Sequence, residues 1–331
     1  AGSMTTKAYR AIMGPIAVVL LFVAGMYLSP FEPHPPPVGP AGTPLGQISW
    51  DDEDWEVLAL TLRRALDEGV DTLPIGEAMG RVGRSLVGTP YVPHTLEVEG
   101  PERLVIDFSG LDCVTFVENV WATAALLRSG VDYADRAAVE DEYERLLSLI
   151  RYRRGYVDGY PSRLHYFSEW IADAEQKLLV DDVTAELGGV VDREPIDFMS
   201  THPDAYRQLA DPEALQAIRE IEAGLSARGR VYLPQERIAA ASGSIREGDV
   251  IAATSTVPGL DVAHTGIAIR VDGELRLMHA PLVGETVQIS ERSLPDRILG
   301  IDGQDGIIVA RPLEPIAAGR DVGRAPAPGG F

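Results

Sequence analysis

Helical and strand-like patterns occupy different parts of this chain, and that division most limits what it can fold into. Up to about residue 230, apolar residues recur at helical spacing. Beyond it, "RVYLP", "DVIAATS", "HTGIAIRV", "ELRLMHAP", "ETVQIS" and "GIIVARP" are short strand-like runs split by turn residues. Helices first and strands later predict an α+β domain with an antiparallel sheet. The helical part reads as Trp50 to Glu68 with Ser49 as cap, Pro74 to Gly88, Cys113 to Leu127, Asp132 to Tyr152, Ser162 to Lys177 with Ser162 as cap, and Asp211 to Leu225.

Residues 1–3, ahead of Met4, read as a cloning scar. Lys7 and Arg10 precede an uncharged apolar run from Ala11 to Leu28, which at about 1.5 Å per residue just spans a bilayer core. The basic flank predicts a cytoplasmic N-terminus and export of the chain beyond the run. Residues 4–28 are therefore expected to be a membrane anchor or a signal peptide, and the lack of an A-x-A site favours the anchor. Residues 29–47 read as a proline-rich linker, 48–315 as the folded domain and 316–331 as a flexible tail. The net charge of -21 argues against nucleic acid as a partner.

The only cysteine of the chain, Cys113, stands in "GLDCVTFVENVW". An exported domain sits where disulfides form, and one cysteine makes no internal bridge. It is a buried passenger, an intermolecular staple or a reactive thiol. Asp112 is placed to cap a helix beginning at Cys113, so the thiol lies at the positive end of the helix dipole, where thiolate is favoured. Val117, Val120, Ala124 and Leu127 follow on its face.

A reactive thiol needs a base. Of six histidines, His264 and His279 flank a two-residue hairpin turn, Asp272-Gly273. Counting back from that turn pairs Val271 with Glu274 and Gly266 with His279. His264 then shares a face with Gly266, a diagonal neighbour of His279 at about 7–8 Å between backbones. Gly266 and Ala268 are small and leave room on that face for a helix to approach. Cys113, His264 and His279 thus form a candidate Cys-His-His site, one imidazole as base and the other orienting it. The same three could in principle bind zinc, but no metal-ligand motif, P-loop, dinucleotide fingerprint or serine elbow is present, and no cofactor is expected.

The stretch "GTPYVPHTLEVEGPERLVIDFSGLDCVTFVENVW" resembles the cysteine segment of the NlpC-type papain-like cell-wall hydrolases, and within them the N-acetylmuramoyl-L-alanine amidase-like subfamily. "GYPSRLHYFSEWI", "IDFMSTHPDAY", and "AHTGIAI" with "LMHAP" are similar to that subfamily's other blocks, in the same order, over about residues 80–312. The resemblance implies a papain-like domain, a helix carrying the nucleophile packed on an antiparallel sheet. It also implies a triad of Cys113, His264 and His279, with Tyr91 near the thiol. Asp112, Thr115, Arg163, His165, Tyr166 and Thr265 become expected substrate contacts. Arg163, near the start of an expected helix, offers a fork for a carboxylate or lactyl oxygen. The expected activity is hydrolysis of the amide between N-acetylmuramic acid and L-alanine, on peptidoglycan or its fragments, at the cell envelope. The departure from the wider group's Asp-Cys-Ser-Gly to Asp112-Cys113-Val114-Thr115 fits the narrow subfamily. A stem-peptide endopeptidase and a non-catalytic wall-binding protein stand as alternatives.

Overall fold

The computed structural model describes residues 51–283 and 285–315. The scar, the expected membrane segment (4–28), the linker (29–47) and the tail (316–331) lie outside the described residues. Among the described residues no helix is long and apolar enough to cross a membrane.

Helix α1 (Asp52–Asp67) is capped by Asp51, whose carboxylate accepts from the Glu53 N–H, and its first turn carries three acids that suit the positive end of the helix. Expected cap Ser49 lies outside the described residues. Helix α2 (Ile75–Ser85) follows Pro74, and α3 (Cys113–Leu126) follows Asp112. Helix α4 (Arg136–Arg151) is capped by Asp135. Helix α5 (Phe167–Gln176) begins at Phe167 and not at Ser162. Ser162 instead closes a 3-10 turn over Tyr160–Ser162, donating its hydroxyl to Gly159 O, and Asp261 caps α5 from a distant segment by accepting from Ser168 N–H at 2.8 Å. After a short helix α6 (Phe198–Thr201), α7 (Pro212–Arg228) starts on Asp211 with proline in its first turn. Helices α8 (Gln235–Ala241) and α9 (Leu294–Leu299) interrupt the strand-rich part.

The strands are β1 (Val180–Asp182), β2 (Val190–Asp192), β3 (Arg230–Pro234), β4 (Val250–Ser255), β5 (Val262–Val271), β6 (Glu274–His279), β7 (Gln288–Ile289) and β8 (Gln304–Pro312). They form one sheet in the order β2-β3-β8-β4-β5-β6-β7, with β1 also on β8, and every pairing is antiparallel. The fold is thus α+β with an antiparallel sheet, as the division of the sequence predicts. The β5–β6 hairpin turns at Asp272 (φ 53) and Gly273 (φ 82), the two positive φ angles that a tight primed turn requires. Its register, Val271↔Glu274 through Ile267↔Met278, is the one counted from the sequence.

Strand alternation gives the sheet two apolar faces. Ile267, Ile269 and Met278 join Phe116, Val117 and Val120 of α3 in the main core. Ala268, Leu275 and Leu277 face the other way, against Ile238 of α8 and Leu294 and Ile298 of α9. A third cluster, including Tyr160, Tyr166, Phe198 and Ile218, ties the α6–α7 region to the turn before α5.

Candidate active site

Cys113 is the first residue of α3 and is half-buried. Asp112 Oδ1 accepts from the Val114 and Thr115 N–H groups at 3.0 and 2.8 Å, and Thr115 Oγ1 accepts from Asp112 N–H at 2.9 Å. This reciprocal capping box satisfies the first helical donors and fixes the turn that carries the thiol. Thr265 Oγ1 donates to Cys113 O at 2.7 Å, so the start of α3 is fastened to β5 one residue from His264. Thr115 and Thr265 therefore hold the turn that carries Cys113 in place. Tyr91 stands beside it: its main chain bridges Leu111, and burial, then the charges of Cys113 and Asp112, push its phenol above the ordinary range.

The two histidines meet. His264 Nε2 and His279 Nδ1 are 2.6 Å apart, with the rings edge to face, and both residues are buried. Gly266 makes this possible. A Cβ there would sit 2.6 Å from Met278 O and 2.9 Å from His279 Cβ, so any side chain would push the hairpin strands apart. His279 Nε2 and the nearby Arg297 Nε are buried without a hydrogen-bond partner among the described residues.

Two expectations are corrected. The small residues Gly266 and Ala268 do not receive the cysteine helix: the face they share with the histidines is closed by α8 and α9, whereas α3 lies against the Thr265, Ile267 and Ile269 face. What brings the thiol-bearing turn to the histidine-bearing strand is its end, not its broad side. Nor does the helix tip make the thiol acidic. Burial pushes the Cys113 thiol up to about 12 and the Asp112 charge adds to it, outweighing the hydrogen bonds from Thr265 and the helix-end N–H. Burial pushes His264 down to about 3, assisted by the Arg297 charge. His279 is lowered further by burial, His264 and Arg297, and burial holds Arg297 itself down at about 10. The thiol and both imidazoles are thus neutral at rest.

These shifts set a dependence of stability on pH. An imidazole lowered on folding stabilises the protein above its unfolded value near 6.5, and this is lost as pH falls toward about 3. The parent should therefore lose unfolding free energy relative to a His264→Gln protein over that window. A thiol raised from 9.0 to about 12 stabilises below 9, and this is lost as pH rises beyond it. Urea titrations should show the parent losing stability relative to Cys113→Ala above pH 9. Parallel curves at both extremes would contradict the assignment.

Arg163, His165 and Tyr166 all have internal partners, because the helix expected to present them starts after them. Arg163 is buried, pairing with Glu97 at 2.6 Å and Glu102 at 3.1 Å over the Tyr160 ring. His165 Nε2 contacts Tyr160 O at 2.9 Å, and burial with the Arg163 charge holds its pKa well below the usual value. Tyr166 donates to Glu222 at 2.6 Å and accepts from Met199 N–H, which links α5 to α6 and α7. Glu169, in the first turn of α5, pairs with Arg153 at 2.8 Å. Glu97, Glu102, Arg151 and Arg297 do not stand out in the sequence. The Ser293-Leu-Pro-Asp296 start marks the helix that carries Arg297, but not Arg297 itself. Among the described residues no group of three His, Cys, Asp or Glu side chains could hold a metal ion.

In this antiparallel α+β domain a helix-start cysteine is tied through Thr265 to a hairpin whose two strands each carry one imidazole of a contacting pair. The family model AmiA-like, described as N-acetylmuramoyl-L-alanine amidase-like, matches residues 81–303, and the chain belongs to that family. Among solved structures, an N-acetylmuramoyl-L-alanine amidase from Bacteroides uniformis ATCC 8492 is similar at 38% identity, covering 72% of this chain and 98% of that one, with a TM-score of 0.66. A Bacteroides fragilis protein provisionally named a xylanase is also similar at 38% identity, covering 69% and 98%, with a TM-score of 0.64. A Legionella pneumophila protein, 19% identical over 80% and 97% of the two chains, shares the fold at a TM-score of 0.60. No curated protein matches.

Proposed function

We propose that the chain is an exported cysteine amidase of the NlpC-type papain-like kind, cleaving the amide that joins N-acetylmuramic acid to L-alanine in peptidoglycan or its fragments. The observation that supports it most is the 2.6 Å contact between His264 and His279, next to a helix start held to the same strand by Thr265. The family membership and the named Bacteroides uniformis neighbour supply the substrate class.

In this reading His264 Nε2–H donates to His279 Nδ1, which leaves His264 Nδ1 to act as the base. Because the thiol rests protonated, its proton passes to His264 as the sulfur attacks the lactyl carbonyl, with no preformed ion pair. The Cys113 N–H, which Asp112 leaves on the thiol's side of the helix start by accepting from Val114 and Thr115 instead, helps hold the oxyanion. The amide C–N bond breaks, His264 returns the proton to the departing L-alanine nitrogen, and a thioester remains on Cys113. Water, deprotonated by His264, attacks that thioester, and the proton returns to the sulfur. Tyr91 lines the nucleophile's side of the site. The enzyme is proposed to work at the cell envelope, tethered through the segment at 4–28.

Digestion of purified muropeptides followed by mass spectrometry tests the bond. The expected products are a sugar ending in the free lactyl carboxylate and a stem peptide beginning with L-alanine, absent with Cys113→Ala. Cuts within the stem peptide alone would favour an endopeptidase and overturn the amidase reading.

A further inference from the structure

Between Tyr91 and Asp112 the chain runs through residues 92–110 with no helix or strand. Its two ends are joined: Tyr91 bridges Leu111, Leu111 N–H donates to Pro90 O, and Val92 N–H donates to Leu111 O. A long loop closed at its neck is an Ω-like loop, and loops of this length inside a compact domain are usually functional. Here the neck is the active site, since Tyr91 lies beside the thiol and Leu111 leads directly into Asp112 and Cys113.

The loop is held from below by buried charge. Arg151 pairs with Glu118 of α3 at 2.7 Å, both side chains 1% exposed, and donates to Val105 O. Tyr152 donates its hydroxyl to Glu102 and to Arg103 O, each at 2.9 Å. Glu102 and Glu97, five residues apart on the loop, both engage Arg163. Burial works against the Arg163 charge, but the two carboxylates raise its pKa overall, so it stays a cation. Gln208 donates to Val98 O, and Arg207 pairs with Glu99. A guanidinium is rigid and forked, so it can fix two carboxylates at once, where an ammonium serves as a single point.

We propose that Arg163 is a positioning residue: by clamping Glu97 and Glu102 it sets the 92–110 loop as the wall of the substrate cleft above Cys113. This rests on the proposed amidase reading for its substrate, but not for the loop itself. It also replaces the picture of Arg163 as a fork that touches substrate.

The test compares the parent with Arg163→Lys and, as a milder variant that retains the arginine, Glu97→Gln. Three readouts are used: cleavage by a glutamate-specific protease at Glu99 or Glu102, sites both variants keep, alkylation of Cys113 by iodoacetamide, and kcat and KM on the muropeptide. Loosening the loop should speed nicking by about tenfold. Iodoacetamide needs no cleft wall, so Cys113 alkylation should stay within about twofold of the parent. KM should rise by about tenfold while kcat falls less than about threefold, the pattern of lost uniform binding. If Arg163→Lys raises KM with nicking unchanged in both variants, Arg163 touches substrate directly and the proposal is overturned. It is also overturned if alkylation slows as much as turnover, which would place the effect on the thiol. If the parent does not cleave the muropeptide, the amidase reading fails, and nicking with alkylation still decides the clamp.

Discussion

Cys113→Ala should abolish turnover while leaving the fold intact. Removing a catalytic nucleophile costs on the order of 10⁴-fold or more in kcat, and the remaining binding groups supply only residual rate. The change itself is small: Cys113 is half-buried, and its side chain takes no part in the capping box, which runs through Asp112 and Thr115. The Thr265 bond goes to the Cys113 carbonyl, so the α3–β5 fastening survives. Circular dichroism and the thermal midpoint should match the parent, and steady-state rates should not. His264→Gln should come close to the same loss, since a thiol pushed up to about 12 has little thiolate of its own at neutral pH. A preformed ion pair would behave differently, because its thiolate would persist and alkylate fast at pH 5.

Glu118→Ala should be the most damaging change away from the thiol. Its carboxylate meets Arg151 at 2.7 Å with both side chains 1% exposed. Burial raises the Glu118 pKa and the Arg151 charge opposes it, which is the signature of a desolvated pair held by its partner. Removing one member strands the other charge, at a cost of about 3–5 kcal/mol. For a domain of this size the thermal midpoint should fall by on the order of 10 °C. Glu118→Leu combined with Arg151→Met should recover much of that loss, because replacing both ions by apolar groups removes the stranded charge. Chemical denaturation of the two single variants and the double variant measures this. A fall below about 1 kcal/mol for Glu118→Ala would mean that water reaches the pair.

Local rules make parts of this site readable from sequence. The hairpin register comes from Asp272-Gly273, because a primed two-residue turn leaves only one way to pair the strands. The start of α3 comes from Asp112, because an N-cap is a short-range event. The α+β division comes from periodicity. Long-range events are not readable in this way. The start of α5 moves to Phe167 because Asp261, nearly a hundred residues away in sequence, caps it, and because Pro161 and Ser162 close a turn of their own. The face covered by α3 depends on which residues of a strand meet which helix, and small residues at Gly266 and Ala268 serve the hairpin and α9 instead. The thiol's ionisation cannot be read from the helix end alone, because burial and the Asp112 charge outweigh it. The partners of Arg163 lie some sixty residues upstream, in a stretch with no periodic signal.

The most direct measurement is an acid-quenched time course of enzyme and muropeptide, with the peptide containing Cys113 weighed by mass spectrometry. A transient thioester should appear on that peptide, its added mass that of the muramoyl sugar without stem-peptide residues, and Cys113→Ala should give neither this species nor products. An adduct carrying stem-peptide residues, or turnover that persists without Cys113, would contradict it.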